Sequence, residues 1–348
     1  MCESPREDEG RTLRPAYGLP HPESRISNPG ICCLVHIPDG FLSAGVVTAT
    51  WVAAGVTIAA ALRAEKADPN PMPAGILGST AAFLFAAQMV NVPVAPGTSG
   101  HLVGAALGVA LLGPWRALVA MFVVLLIQAL LFQDGGFGSL GANIIDMGVA
   151  GIGTAYAVLV LTAKWQSGPR GVAIGSMLGA FVATLAAAVL TGVWLAWSGL
   201  YPLRAIVQIL LLTHVPIGVL EAALTGAVVV TVLKWRPDLV AGVSADRRIA
   251  HPGPALAGLL GVALAIAAFL APFASSLPDG LERTAEALGF AGRAQPQWTA
   301  PFPDYVIPYL GSSGAAAGVA GLLGTLAVAT IAWGISRTLR TPPDAVHR

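Results

Sequence analysis

Charge is what this chain has least of. Aspartate, glutamate, lysine and arginine make up 11% of its 348 residues, where soluble domains carry about 25%. The formal net charge is only +1, which excludes a basic face for nucleic acid. Cysteine is scarce as well. Cys2, Cys32 and Cys33 all precede the first apolar run and form no CxxC pair, so they are read as incidental. None of the three lysines follows a glycine, so the phosphate-cradling loop that ends in Gly-Lys-Ser/Thr is missing. Any uphill step driven by ATP must then be powered by a partner. Residues 1–30 are polar and proline-rich. They lack the apolar centre of a secretory signal and bury too little surface to fold.

Apolar residues, at 55%, are abundant, and they are organised into windows near or above the roughly 20 residues that cross a bilayer. Nine candidate spans fall at about 42–63, 73–91, 99–114, 116–132, 140–163, 171–197, 203–233, 254–273 and 313–335. The third is short and only partly crosses. The expected fold is all-α and polytopic, embedded in the lipid bilayer: a seven-helix core followed by a two-helix appendage. A charged stretch over 235–253 separates the two parts, and a long polar segment between the last two spans forms an extracytoplasmic cap. Small residues at four-residue spacing, Gly104/Gly108, Gly175/Gly179 and Gly314/Gly318, mark places where membrane helices approach closely. With alternating loops, one side of the bilayer collects twelve Lys and Arg beyond the leader, the other only Arg204, Arg283 and Arg293. The positive-inside rule then puts the N-terminal end of the first span outside and the C-terminus inside.

Polar residues stand out against this background. His21, His251 and His347 lie in charged or terminal segments and are read as solvated. His36 precedes the first span, His101 ends the sequence "GTSGH", and His214 lies within the seventh span beside Pro216 and Gly218, which loosen that helix. Intramembrane ionisable groups are functional candidates by default, Glu221 among them, but each can equally tie neighbouring helices together. The same choice applies to Asn91, Asn143 and Asp146. "GTSGH" suits no regular helix. It reads as a loop dipping into the bundle, a form tolerated only where protein surrounds it, with Gln88 and Asn91 available to satisfy its backbone. Three functions remain open. One is a metal-capturing importer subunit without a motor. Another is a stand-alone ion-coupled secondary transporter with His214 and Glu221 as a proton relay. The last is a hydrolase built on Ser99 with His101 or His214, disfavoured because no orienting acid is adjacent.

Four separated stretches, "HIPDGFLS", "AAQMVNVPVAPGTSGHLVG", "SLGANIIDMGVAG" and "HVPIGVLEAALTG", resemble the CbiM/NikM-type substrate-binding (S) component of energy-coupling factor transporters for cobalt and nickel. The likeness covers residues 35–240. The stretches "LPDGLERTAEALGF" and "PDYVIPYLG", in 250–340, are similar to the PDGLE domain that accompanies this subunit. The resemblance implies no permanently bound cofactor, a transported Co2+ or Ni2+, and as partners a membrane transducer subunit and two ATPase subunits. It also implies a square-planar site of nitrogens at the start of the polypeptide: the α-amine of residue 35, the amide and ring nitrogens of His36, and the ring of His101. Gln88, Asn91, Ser99, Asn143 and His214 become groups that orient the ligands or fix their loops. Four nitrogens in a plane suit Ni(II) and accept Co(II), and do not suit Mg(II) or Ca(II). An amine ligand requires that the chain begin at Val35, so residues 1–34 are expected to be absent from the functional protein, with translation initiated at position 35. In this scheme Asp39 caps the first span, and the acidic residues Asp279, Glu282, Glu286 and Asp304 belong to a solvated cap.

Overall fold

The computed structural model describes residues 36–241, 249, 251–311 and 313–339. The leader, its three cysteines and Val35 lie outside the described residues. Apart from one short hairpin, the regular elements of the described chain are helices.

Helix α1 (Ala44–Ala67) starts at Ser43, whose hydroxyl accepts the Val46 amide at 3.5 Å. The cap is therefore Ser43, where Asp39 was expected; Asp39 lies four residues upstream and is engaged elsewhere. Much of α1 is exposed, as suits a lipid-facing span. Helix α2 (Ala74–Gln88) is the reverse. Thirteen of its residues are buried, and a helix apolar on every side belongs inside a bundle. Hairpin β1 (Val92–Ala95) and β2 (Thr98–Gly100) follows, antiparallel, with β2 wholly buried. Helix α3 (Ala105–Leu112) has eight residues, about 12 Å of length, so the third apolar segment does not cross. The "GTSGH" sequence is the returning strand of the hairpin and the turn beyond it.

Helix α4 (Pro114–Phe132) begins with proline at its first position, where the missing amide costs nothing. It ends in a π-helical turn over Gln128–Phe132. Helix α5 (Leu140–Trp165) carries a second π-helical stretch over Ile144–Gly151. Helices α6 (Gly168–Trp197) and α7 (Leu203–Trp235) are the long pair of the core. The appendage supplies α8 (Pro252–Phe273), the short α9 (Gly280–Leu288) and α10 (Gly314–Leu339). Seven of these helices, α1, α4, α5, α6, α7, α8 and α10, are long and apolar enough to cross a membrane. The architecture is all-α, polytopic and membrane-embedded.

The glycine pairs sit at the close approaches. Gly175 and Gly179 of α6 face Leu159, Thr162 and Ala155 of α5; Gly108 faces Ala117; Gly314 and Gly318 of α10 face Pro272 and Ala268 of α8. The appendage is not a satellite. Gly75 and Gly78 of α2 receive Leu256 of α8 and Ala329 and Trp333 of α10. Ala263, Ala267, Ala320 and Val328 belong to the same apolar core as Phe85 and Phe132.

Candidate metal site

The "HIPDG" turn is fastened from both halves of the chain. Asn143 clamps the backbone of Ile37: its Oδ1 accepts the Ile37 amide at 2.9 Å and its Nδ2 donates to the Ile37 carbonyl at 3.2 Å. Asp39 accepts the Ser139 amide on Oδ1 and the Gln297 amide on Oδ2, each at 3.2 Å, while its carbonyl accepts the Gln295 amide at 2.8 Å. Gly40 holds φ at 92°, a conformation open to glycine, and its missing side chain leaves room for the Arg293 backbone.

These bonds bury His36 and Ile37 to 2% exposure. The Nδ1–H of His36 donates to Asp134 Oδ1 at 2.9 Å, and the Tyr305 hydroxyl donates to Asp134 Oδ2 at 2.8 Å. Burial works to raise the Asp134 carboxyl, but adjacent His36 and the hydrogen bonds from His36 and Tyr305 outweigh it and hold the group below the usual carboxylate range. The other ring nitrogen of His36, Nε2, is buried without a hydrogen-bond partner.

His101 follows β2, with ring centroid 6.1 Å from that of His36. Its Nδ1–H donates to the Leu102 carbonyl at 2.9 Å, which leaves Nε2 as the free lone pair. The loop beyond is held by Glu221 of α7, whose two oxygens accept the Val103 and Gly104 amides at 2.7 and 2.8 Å. Gln88 donates to the Val103 carbonyl at 2.8 Å and accepts from Gln128 at 2.9 Å. Ser99 donates to the Leu277 carbonyl at 2.6 Å. It is thus tied to the appendage and forms no dyad with His101. Asn91 contributes its backbone carbonyl, which accepts the Ser275 amide at 2.8 Å, while its side-chain Oδ1 is buried and unpaired.

One small cavity, about 70 Å³, is lined by His36, His101 and Asn143, by Asp146 and Thr191 deeper in α5 and α6, and by His214, Asp279 and Gly280. His214 donates its Nδ1–H to the Leu210 carbonyl at 2.7 Å. Its ring meets Gly280 so closely that a methyl group there would lie 2.6 Å from it. The acidic cap is not uniformly solvated. Asp279 is buried, accepts the Glu282 amide at 2.6 Å as the N-cap of α9, and faces the cavity. Burial pushes its carboxyl well above the usual range.

The structure gathers His36, His101, Asn143 and His214 around one cavity. The sequence named Gln88, Asn91, Ser99, Asn143 and His214 as groups that orient the ligands or fix their loops; Asp134, the hydrogen-bond partner of His36, was not among them. The signal was present in "FQDGGFG": a carboxylate at the end of an apolar span, followed by two glycines. Gly135 lies against the His36 side chain and Gly136 against Asp39, so only that pattern lets the loop close over the turn. Among the described residues, no three His, Cys, Asp or Glu side chains form a group able to hold an ion by themselves.

Residues 36–239 match the family model of CbiM, the cobalt uptake substrate-specific transmembrane region, and residues 254–341 match the PDGLE domain. The chain belongs to the CbiM family. It is an S component of the energy-coupling factor type, a transport subunit, with a PDGLE domain in the same polypeptide. Similar proteins include the fused nickel transport protein NikMN of Rhodobacter capsulatus, 32% identical, with 88% of this chain and 98% of the relative covered. The cobalt transport protein CbiM of Geobacter sulfurreducens is 34% identical over 60% of this chain and 62% of its own length. Among solved structures, a truncated transition metal transporter superposes with TM-score 0.50 at 31% identity, covering 57% of this chain and 98% of that one.

Proposed function

We propose that this CbiM-family subunit captures Ni2+ or Co2+ on the outer side of the membrane and releases it inward when a transducer subunit and two ATPase subunits drive a change in helix packing. The observation that carries this reading is the pairing of His36 and His101, both buried and 6.1 Å apart between ring centroids, with His101 Nδ1 held by the Leu102 carbonyl and its Nε2 left free. The ligands are His36, through its amide and ring nitrogens, His101, and the α-amine of a chain that begins at residue 35. The relatives named for nickel and cobalt transport support the choice of a late divalent transition ion. The lysine and arginine asymmetry supports an outward-facing "HIPDG" turn and an inward C-terminus. Stand-alone ion-coupled transport is less favoured, because both oxygens of Glu221 are occupied by loop amides and are not poised to relay protons.

The test is nickel binding by the purified protein, with intact-mass measurement of its N-terminus. His36→Ala is expected to abolish high-affinity binding. His101→Ala is expected to abolish it or leave a weak three-nitrogen site. Normal nickel binding in either variant, or by a chain that retains residues 1–34, refutes the site.

A further inference from the structure

Asp134 and Tyr305 take no part in the proposed ligand set, yet they form the most direct link between the appendage and a ligand. Tyr305 sits in costly backbone, and so does the residue before each of the two. Four non-glycine residues among those described have positive φ: Gln133 at 57°, His251 at 50°, Asp304 at 52° and Tyr305 at 59°. Three of the four are Tyr305 itself and the residues immediately before Asp134 and Tyr305. Such conformations cost about 1–3 kcal/mol each and persist where surrounding contacts enforce them. Tyr305 is enforced by stacking on Phe132, with centroids 4.5 Å apart and planes 15° apart. The chain thus accepts strain on both sides of one hydrogen-bonded pair.

The pair acts on a particular atom. A chelate ring running from the metal through the His36 amide nitrogen, Cα, Cβ and Cγ closes with six members only at Nδ1. That atom is the one Asp134 holds at 2.9 Å. An ion and Asp134 therefore compete for it. We propose that Asp134, its carboxylate shared between His36 and Tyr305 of the PDGLE domain, is a latch on His36 that must open for an ion to be captured. On capture the metal takes the Nδ1 lone pair, and the imidazole proton moves from Nδ1 to Nε2, which is buried without a partner. The ring stays neutral, and the amide proton passes to water. The displaced carboxylate keeps the Tyr305 hydroxyl, so it is not stranded in a buried site. The appendage thereby sets how readily the ligand atom is surrendered.

This inference rests on the proposed His36 site, and its signature is kinetic. Asp134→Asn replaces a charge-assisted hydrogen bond with a neutral one of about half the strength, so the latch loosens. Tyr305→Phe preserves the stacked ring but leaves the carboxylate only His36 to bind, so the latch tightens. Stopped-flow association of Ni2+ with the full chain in detergent is expected to be about tenfold faster for the first variant and about tenfold slower for the second, the scale of changes in groups that orient metal ligands. In the Asp134→Asn background, Tyr305→Phe should have little further effect. Trp298→Phe removes a different appendage contact, the indole donating to the Leu130 carbonyl at 3.1 Å, and should leave the rate unchanged. Thermal unfolding confirms that each variant is folded. Rates that fall together in both variants, or do not change in either, overturn the latch while leaving the site intact. Failure of the parent chain to bind Ni2+ removes the site itself.

Discussion

At the scale of single residues, the arrangement around His36 depends on groups with no metal chemistry of their own. Asn143 is the clearest. It satisfies both the amide and the carbonyl of Ile37 inside the protein, and a buried amide left unpaired costs about 1–3 kcal/mol. Asn143→Ala is expected to lower stability by that amount and to weaken nickel binding, since the residue it holds adjoins a ligand. Asn143→Asp keeps the acceptor for the Ile37 amide and loses the donor, so it should fall between. Titration with Ni2+ alongside chemical denaturation separates the two effects; full binding in the alanine variant argues against Asn143 as the clamp of the site.

Elements meet through small residues, and there the arrangement is unforgiving at some positions and loose at others. Helix α2 lies between the core and both appendage helices. A methyl group at Gly78 would sit 2.6 Å from the Ala329 carbonyl and 3.1 Å from the Trp333 Cβ, whereas nothing lies within 4 Å of the same position at Gly55 in α1. Overpacking a close interface costs about 1–3 kcal/mol, while Gly→Ala at an open helical position gains up to about 1 kcal/mol in propensity. Gly78→Ala should therefore lower the melting temperature and Gly55→Ala should hold or raise it. Equal melting temperatures would mean that α10 does not press on α2 as described.

For the molecule as a whole, the docked appendage creates a pH dependence of stability. Burial pushes Glu282 up to about 7, with Glu286 adding to it, and pushes Asp304 up to about 7, with Asp134 and Glu282 adding to it. Asp279 is raised as well, mainly by burial. A carboxyl with a higher pKa folded than unfolded binds more protons in the folded state between those two values. Its contribution is fully present below the unfolded value, 3.8 for Asp304 and 4.5 for Glu282, and is lost as pH rises through the folded value near 7. Asp134 has the opposite sign, with stability lost as pH falls. Melting curves between pH 4.5 and 7.5 should show the appendage carboxyls working against stability as pH rises, and Asp304→Asn and Glu282→Gln should each flatten that decline. A slope unchanged in both variants would assign it to other groups.

The spans were legible because bilayer thickness imposes a length on any apolar run, and the glycine pairs because only small residues let helices touch. His36 and His101 could be named because the stretches around them carry a family resemblance. Local sequence also predicted that "GTSGH" would not be helical, though not that it would form a strand. What it could not decide was partnership across long separations. Asp134 meets His36 98 positions away, Tyr305 reaches Asp134 across 171, and Gln297 caps Asp39 across 258. The two glycines after Asp134 mark a close approach without naming the residue approached, because each of these bonds depends on how the whole bundle packs. The sequence by itself determined a polytopic membrane bundle and singled out His36, His101 and His214 among its histidines. Only the tertiary structure decided which carboxylate holds the first imidazole, and that the appendage holds the carboxylate.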